Sequence, residues 1–208
     1  PRMSIFHALN QKRTARIVAD KINKEYTQCN IIVAHLGGGI SVGIHSRGRV
    51  IDVNNALDGD GPFTPERSGG VPAGQLVKLC FGGEYDQSQI KQMIKGQGGV
   101  VAYLGTNDIR QVEEKIKQKD EEAKQVLEAM AYQVAKEIGQ LATVVSGNVD
   151  AVVLTGGAAH SKLLTELILK RISFIAETFV IPGENEMESL RDGGLRVLSG
   201  EEAPLDYS

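Results

Sequence analysis

Hydrophobic and polar positions follow two different periods along the chain. Between Gln11 and Tyr26, apolar residues recur about every 3.6 positions with charged residues on the opposite face, which predicts an amphipathic surface helix. Apolar runs of strand length follow at residues 30–36, 41–45 and 50–53, and glycine-containing turns separate them. These three segments predict consecutive antiparallel strands.

The second half of the chain alternates between helical periodicity and short apolar runs. Helical patterns follow a glycine- and proline-rich loop over residues 58–72, and the longest carries an apolar stripe from Val126 to Val145. The remaining elements are strands over 150–154 and 173–181 and helices over 160–171 and 185–191. This order predicts a layered α/β domain with a mixed sheet, occupying residues 1–208 as a single domain.

Composition and charge narrow the classes of function. The net charge of −3 and the pI near 5.9 provide no basic field for a nucleic acid or an anionic membrane. No apolar run approaches the roughly 20 residues of a membrane-spanning helix. Cys29 and Cys80 lie far apart without a CxxC pair, which argues against a zinc site or a disulfide framework. Small-molecule chemistry in a reducing cytoplasm is therefore expected.

Two glycine loops contain residue types that bind phosphate. Residues 35–41 join two predicted strands through three glycines, which let backbone amides approach a phosphate closely. This loop has neither the following helix of a Rossmann fingerprint nor a Walker ending, so a plain tight hairpin is the alternative. Residues 154–161 lead from a strand through two glycines into a helix whose amides would face a ligand. A turn in which glycine only relieves crowding is equally consistent with that second segment.

Other candidate residues carry charge or titrate near neutral pH. The long loop over residues 58–70 contains one cation, Arg67, whose guanidinium suits charge on a transferring phosphoryl group. A solvent-exposed arginine is the alternative. The four histidines show no metal-ligand spacing, and each taken singly is consistent with a structural role.

Taken in order, these segments resemble the acetate and butyrate kinase family, within the larger group of sugar kinases, heat-shock chaperones and actin. Residues 4–7 resemble the family's segment that ends in a substrate-site histidine, and residues 35–39 resemble its phosphate-binding hairpin. Residues 63–69 resemble the loop that carries its transition-state arginine. The resemblance implies an actin-like ATPase (ribonuclease H-like) α/β fold, a mixed five-stranded sheet flanked by helices, and catalytic roles for His7, His35 and Arg67.

The resemblance also implies a nucleotide site and a metal site. Residues 99–110 and 155–161 resemble the family's adenosine-binding segments, although Ser161 stands where acetate kinases usually carry asparagine. Residues 181–187 resemble the butyrate kinase version of a loop that carries a magnesium-linked glutamate. The implied nucleotide contacts are Gly37, Gly38, Gly39, Ser41, Asp108, Ile109, Arg110, Gly156, Gly157 and Ala158, and the implied metal ligands are Glu184 and Glu186.

The activity that the resemblance implies is phosphoryl transfer between ATP and a short-chain carboxylate, giving an acyl phosphate and ADP with Mg²⁺ as the metal. The short loop at 63–69 favours butyrate, whereas acetate, propionate or a branched-chain acid stay open, as does a non-catalytic nucleotide-binding module. Since a carboxylate is already ionised at pH 7, the histidines are expected to donate hydrogen bonds rather than abstract protons. A purely structural protein would make all these matches coincidental.

The resemblance covers only the C-terminal part of a family member. We therefore expect the family's N-terminal domain to be absent from this chain, in agreement with its start at Pro1, and we expect the chain alone to be inactive. The expected partners are the carboxylate substrate, that N-terminal domain, and a second copy in a homodimer or higher homo-oligomer, with no nucleic acid and no membrane.

Overall fold

A mixed sheet of five strands forms the centre of the molecule, described for residues 3–204 by a computed structural model; the two ends of the predicted 1–208 domain lie outside the described residues. The strands are β1 Asn30–Leu36, β2 Ile40–Ser46, β3 Arg49–Val53, β4 Ala151–Gly156 and β5 Glu177–Pro182. The α-helices are α1 Ala8–Lys21, α2 Ala73–Phe81, α3 Gln87–Ile94, α4 Val100–Leu104, α5 Ile109–Lys117, α6 Glu121–Val144, α7 Lys162–Ile172 and α8 Glu186–Leu198. Short 3₁₀ helices lie at Tyr26–Gln28 and Gly157–His160.

The strand order is β3-β2-β1-β4-β5, which combines an antiparallel and a parallel half. β1 pairs antiparallel with β2, and β2 pairs antiparallel with β3. β4 pairs parallel with β1 on one side and with β5 on the other. The expected α/β fold with a mixed five-stranded sheet is therefore confirmed, and the carboxyl ends of β1, β4 and β5 lie at one edge.

Alternate side chains of β1 pack into two separate cores. Ile31 and Val33 contact the inward face of α1, whereas Ile32 and Ala34 belong to the larger core with α6 and α7. All four side chains are fully buried. Because a strand covered on both faces contains apolar residues at every position, a continuous apolar run predicted it better than an alternating pattern would. This double burial fixes β1, and with it the residues at its end.

The structure corrects several predicted boundaries. The first helix begins at Ala8 and ends at Lys21 rather than running from Gln11 to Tyr26, because Asn23 adopts a left-handed conformation with φ of 55°. The predicted strand over 173–181 begins only at Glu177, since the preceding residues form a turn after α7. The helix predicted over 160–171 lies at Lys162–Ile172 behind a 3₁₀ turn. The last helix continues to Leu198, beyond the predicted end at 191.

The long predicted helix is confirmed as α6, which buries an apolar stripe against the sheet and α7. Asp120 caps it by accepting a hydrogen bond from the Ala123 amide at 3.0 Å. Leu127, Met130 and Ile138 are fully buried along the stripe. Among residues 3–204 no helix combines the length and the apolar character needed to cross a membrane.

Candidate functional site

Predicted site residues collect where the three parallel strands end. His35 lies opposite Thr155 in the β1–β4 pairing, and Gly156 lies opposite Pro182 in the β4–β5 pairing. The Gly156 and Gly183 amides exchange hydrogen bonds of 3.1 and 3.0 Å beyond the last pairs, which holds the loop after β5 against β4. Ligands of α/β sheets bind at such carboxyl edges.

A cleft of roughly 690 Å³ opens at this edge and is lined by segments that are distant in sequence. Its size is within the range of small-molecule and cofactor sites. Its lining residues are Gly37, Gly38, Pro65, Asn107, Asp108, Ile109, Arg110, Glu113, Gly157, Ala158, His160, Ser161 and Glu184. The structure thus brings the glycine hairpin, both segments that resemble adenosine-binding motifs and the loop after β5 to one cavity.

Eight of the predicted binding residues line this cleft. They are Gly37, Gly38, Asp108, Ile109, Arg110, Gly157, Ala158 and Glu184. Four others do not line it, namely Gly39, Ser41, Gly156 and Glu186. The predicted catalytic residues His7, His35 and Arg67 lie beside the cleft rather than in its lining.

Two of the glycines outside the lining have a packing reason for their identity. A Cβ on Gly39 would overlap Nη1 of Arg67, so this glycine leaves room for the arginine side chain. Gly156 has φ of 89°, and a Cβ there would collide with the Leu36 carbonyl oxygen. Gly37 differs, because a Cβ added there would lie 3.3 Å from its nearest neighbour, the Gly39 carbonyl oxygen.

Arg67 is held against the glycine hairpin by its own loop. Thr64 Oγ1 accepts a hydrogen bond from the Arg67 amide at 3.0 Å and donates one to the Gly38 carbonyl at 2.5 Å. The guanidinium donates through Nη1 to the Ala56 carbonyl oxygen. Its Nε is buried and has no hydrogen-bond partner within residues 3–204. A buried donor without a partner is costly, and here it belongs to the residue expected to meet a phosphoryl group.

The imidazole rings of His7 and His35 stack on one another beside this arginine. Their centroids are 3.7 Å apart and the ring planes differ by 11°. His7 Nδ1 lies 2.8 Å from Ser41 Oγ, and His35 Nδ1 lies 2.9 Å from Asn10 Oδ1. In the described part of the chain, Nε2 of neither ring has a hydrogen-bond partner.

Burial keeps both imidazoles neutral at pH 7. Desolvation lowers the pKa of His35 to about 3, and the neighbouring His7 acts in the same direction. Desolvation also lowers the pKa of His7, assisted by the positive charge of Arg67 and opposed by Glu186. A neutral imidazole has one nitrogen that donates and one that accepts, so the tautomer decides what each ring offers.

Asn10 is a site residue that sequence reasoning missed. Its Nδ2 donates to the Glu184 carbonyl at 2.6 Å and to the Gly183 carbonyl at 3.2 Å, while its Oδ1 faces His35. It therefore connects the loop after β5 to the end of β1. The available signal was the polar residues Asn10 and Thr14 that continue the apolar face of α1.

Helix caps define one wall of the cleft. Asp108 caps α5 by accepting a hydrogen bond from the Arg110 amide at 2.9 Å, and the Arg110 guanidinium contacts the same carboxylate at 2.7 Å. These hydrogen bonds lower the pKa of Asp108. Ser161 caps α7 through the Leu164 amide at 3.0 Å and donates to the Glu113 carboxylate. Sequence reasoning did not single out Glu113, which lies one helical turn beyond Asp108.

The two predicted metal ligands lie in different surroundings. Glu184 lines the cleft, whereas Glu186 begins α8 and acts electrostatically on His7. Across residues 3–204 there is no group of three or more histidine, cysteine or acidic side chains that could hold a metal ion. Mg²⁺ that accompanies phosphates needs only one or two carboxylates, because phosphate and water oxygens complete its octahedron. Glu184, one of three carboxylates that line the cleft, fits that requirement.

Comparison with known proteins identifies the family. Residues 2–205 match the acetokinase family. The chain belongs to this family. Membership confirms the family that the ordered motifs had indicated, while the butyrate branch stays a prediction.

Solved structures agree with the acetokinase fold. Acetate kinase from Porphyromonas gingivalis has a TM-score of 0.83 and 22% identity, over 93% of this chain and 55% of that one. A propionate kinase from Francisella tularensis subsp. tularensis SCHU S4 has a TM-score of 0.78 and 23% identity, over 88% and 53%. A ROK family protein from Streptococcus pneumoniae TIGR4 has a TM-score of 0.50 and 10% identity, over 91% and 65%. These likenesses confirm the actin-like ATPase fold.

Those structures also set the extent of the match. The chain spans about half the length of the acetate and propionate kinases that it resembles.

Proposed function

We propose that this chain is the nucleotide-binding part of a carboxylate kinase that transfers the γ-phosphoryl group of ATP to a short-chain acid. The observation that carries the proposal is the cleft. Gly37, Asp108 and Gly157 come from three distant segments, each resembling a nucleotide-binding motif, and all three line one cavity. A chance resemblance in separate loops would not require them to meet.

The residues beside the cleft suit phosphoryl transfer. Such reactions depend on positioning and on neutralising the negative charge that spreads over the phosphoryl oxygens. Arg67 supplies a fixed positive charge next to Gly39, and its buried Nε has an unused hydrogen. His7 and His35 lie in the same region as neutral rings, so they act through hydrogen bonds rather than through charge.

Mg²⁺ would be held on the cleft side by Glu184, together with oxygens of the nucleotide. When bound, it neutralises phosphate charge. Asn10 fixes the backbone of this glutamate through the 2.6 Å hydrogen bond to its carbonyl. The acidic side chain is thereby kept beside Gly157 in the cleft wall.

We propose butyrate as the acceptor. The short loop at 63–69 and the loop at 181–187 support this choice because both resemble the butyrate kinase versions. Acetate and propionate kinases share the fold, so those acids are the first competitors to test. One or two methylenes discriminate by only about 1 to 3 kcal/mol, so the acids must be compared as kcat/KM ratios.

A second candidate is a nucleotide-binding module without catalytic activity. The observation in its favour is that His7, His35 and Arg67 lie beside the cleft rather than in its lining. It shares the cleft with the first proposal and differs in chemistry alone. Binding and transfer must therefore be measured separately.

Nucleotide binding is tested by calorimetric titration of the chain with ADP and Mg²⁺. Gly157→Val should abolish the binding heat, since a side chain at this position adds bulk to the cleft wall. The fold should survive, because a Cβ there has its nearest neighbour 3.8 Å away, at Glu184 Oε1. Gly139→Val is the matched control, since a Cβ at this α6 position meets nothing within 4 Å. Equal binding by wild type and Gly157→Val would refute the assignment of the cleft.

Phosphoryl transfer is tested on the whole protein that the gene encodes, with ATP and acetate, propionate, butyrate or isobutyrate. Acyl phosphate is trapped as the hydroxamate. The proposal is supported if kcat/KM is highest with butyrate. If kcat/KM is higher with another acid, that acid is the preferred substrate and the proposed reaction is unchanged. Nucleotide binding with no acyl phosphate from any acid favours the non-catalytic module.

A further inference from the structure

The side-chain amide of Asn10 has only one orientation that satisfies its neighbours. The carbonyl oxygens of Gly183 and Glu184 can only accept hydrogen bonds, so the amide nitrogen must face them, at 3.2 and 2.6 Å. Oδ1 then faces His35 Nδ1 at 2.9 Å. An oxygen acceptor requires a hydrogen on that ring nitrogen. His35 therefore carries its hydrogen on Nδ1, and its Nε2 holds a lone pair.

The same argument fixes the amide of Gln11. Its Nε2 lies 3.1 Å from the Ser41 carbonyl oxygen, which can only accept, and 2.8 Å from Ser41 Oγ. Its Oε1 consequently faces His45 Nε2 at 3.3 Å and requires a hydrogen there. His45 Nδ1 is then an acceptor for the Tyr26 hydroxyl at 2.8 Å. Burial raises the pKa of Tyr26 to about 12, so this hydroxyl keeps its proton.

Ser41 continues the same donor-to-acceptor direction of hydrogen bonds to His7. Its Oγ accepts from Gln11 Nε2 at 2.8 Å and from the His7 amide at 3.4 Å. With both lone pairs in use, the hydroxyl hydrogen points to His7 Nδ1 at 2.8 Å. His7 Nδ1 must then be an acceptor, and the hydrogen of the neutral ring lies on Nε2.

We propose that Asn10 and Gln11 are positioning residues that hold the two stacked histidines in opposite tautomers, so that His7 presents a hydrogen to the site and His35 presents a lone pair. Every hydrogen bond from Tyr26 through His45, Gln11 and Ser41 to His7 points in the same direction. The chain of donors ends at His7 Nε2, which has no partner among the described residues.

The assignment changes the roles expected from the sequence and rests on the proposed function. Both histidines were expected to donate hydrogen bonds to the transferring group. With opposite tautomers, only His7 donates to an anionic oxygen, and a lone pair at His35 Nε2 would repel one. His35 thus serves to stack against His7 and to receive a hydrogen from a ligand or from water. A further consequence concerns Ser41, which acts on His7 instead of on the nucleotide.

The test is nitrogen NMR of the whole chain labelled with ¹⁵N-histidine, at pH 7. A ring nitrogen that carries a hydrogen resonates far from one that holds a lone pair, so each tautomer is read directly. We expect the hydrogen on Nε2 of His7 and His45 and on Nδ1 of His35. A hydrogen on Nε2 of His35, or on Nδ1 of His7, overturns the proposal. This measurement requires no variant and no activity.

Variants then test which residue sets each tautomer. Asn10→Asp keeps an acceptor for His35 and should preserve its tautomer. Asn10→Ala should give ring-nitrogen signals of His35 that are averaged over the two tautomers. In Gln11→Glu the buried carboxyl group has at most one hydrogen, which the Ser41 carbonyl oxygen accepts, so the serine hydroxyl should turn to the new side chain and the His7 tautomer should reverse. Asn30→Ala is the control, because this amide bridges the Asn148 carbonyl and Ser46 Oγ, each at 2.7 Å, at the opposite end of β1. A change at the histidines in Asn30→Ala as large as in Asn10→Ala would mean general loosening and would overturn the assignment.

Kinetics of the whole protein connect the tautomer to catalysis. Gln11→Glu should lower kcat about 10- to 100-fold and leave ADP affinity unchanged, as expected for a lost donor to the transition state. An unchanged kcat after reversal of the His7 tautomer overturns the catalytic part. If the wild-type spectrum agrees but no acid is phosphorylated, the tautomers stand and the proposed function fails.

Discussion

Acidification from pH 7 to pH 5 should destabilise this fold through two buried histidines. His45 is fully buried in β2, where it contacts Tyr26 and Gln11, and desolvation with the charge of Lys12 lowers its pKa to about 3. His35 has a pKa of about 3 for the same principal reason. In the unfolded chain both imidazoles titrate near 6.5. The unfolded state therefore binds protons in this range that the folded state does not.

The sign and size of this change in stability follow from the linkage between proton binding and folding. A histidine with a depressed folded pKa contributes stability that is present above about pH 6.5 and is lost as the pH falls towards 3. At pH 5 the loss is about 2 kcal/mol for each of the two rings, hence about 4 kcal/mol together. The lowered pKa of His7 acts in the same direction. Carboxylates with lowered pKa values, such as Asp150 and Glu202, have reference values of 3.8 and 4.5, so most of their contribution is lost below pH 5.

Urea unfolding followed by circular dichroism at pH 7, 6 and 5 measures this loss as a change in unfolding free energy. His45→Gln keeps a polar side chain in β2 and removes one titrating group. Its stability between pH 7 and 5 should fall by about 2 kcal/mol less than that of the wild type. A wild-type unfolding free energy that does not change over this range would refute the argument, as would an unaltered pH slope in His45→Gln.

Three further changes test the packing around the site. Gly39→Ala should displace the guanidinium of Arg67 and lower kcat of the whole protein by about 10²- to 10³-fold with little effect on ADP affinity. Gly139→Ala is the control and should change neither quantity, as steady-state kinetics and calorimetry will show, because a Cβ at this position meets nothing within 4 Å. Ser161→Ala removes the cap of α7 and should cost about 1 kcal/mol in urea unfolding, while Ser161→Asn should restore most of it. Leu127→Ala leaves a cavity at a fully buried position in α6 and should lower the free energy of unfolding by about 2 to 5 kcal/mol in the same assay. A decrease below about 1 kcal/mol would place this side chain outside the core.

The fold was predictable because its central strands contain continuous apolar runs. Residues 31–34 and 151–154 are buried on both faces of the sheet, and a continuous apolar run is the pattern that such burial requires. Helix ends were less predictable. Asn23 ends α1 through a left-handed backbone conformation, and asparagine adopts that conformation only in some contexts.

The candidate site was predictable in part, for a reason visible at its glycines. Glycine is required both where a ligand approaches the backbone and where a neighbouring side chain does, and the sequence does not distinguish these cases. Gly38 and Gly157 line the cleft, whereas Gly39 makes room for Arg67 and Gly156 packs on Leu36. Only the tertiary structure separates the two groups.

Residues that act through other residues were missed for a related reason. Asn10 reaches His35 in β1 and the loop after β5, contacts that are 25 and 174 positions away in the sequence. No local motif encodes such a bridge. A polar residue on the buried face of an amphipathic helix is a weak signal, although a buried amide must satisfy all its hydrogen bonds and therefore has defined partners.

Some side-chain nitrogens beside the cleft have no hydrogen-bond partner among the described residues. In residues 3–204, the fully buried side-chain atoms without a partner are Arg67 Nε at the site and Arg16 Nε away from it, and Nε2 of His7 and of His35 are unpaired as well. The fully buried Arg67 Nε without a partner costs about 1 to 3 kcal/mol. A phosphoryl group at the site would supply an acceptor to His7 Nε2, whereas the fully buried Arg67 Nε would first have to be uncovered. Substitutions of Arg67 or His7 should therefore lower kcat far more than they lower the free energy of unfolding.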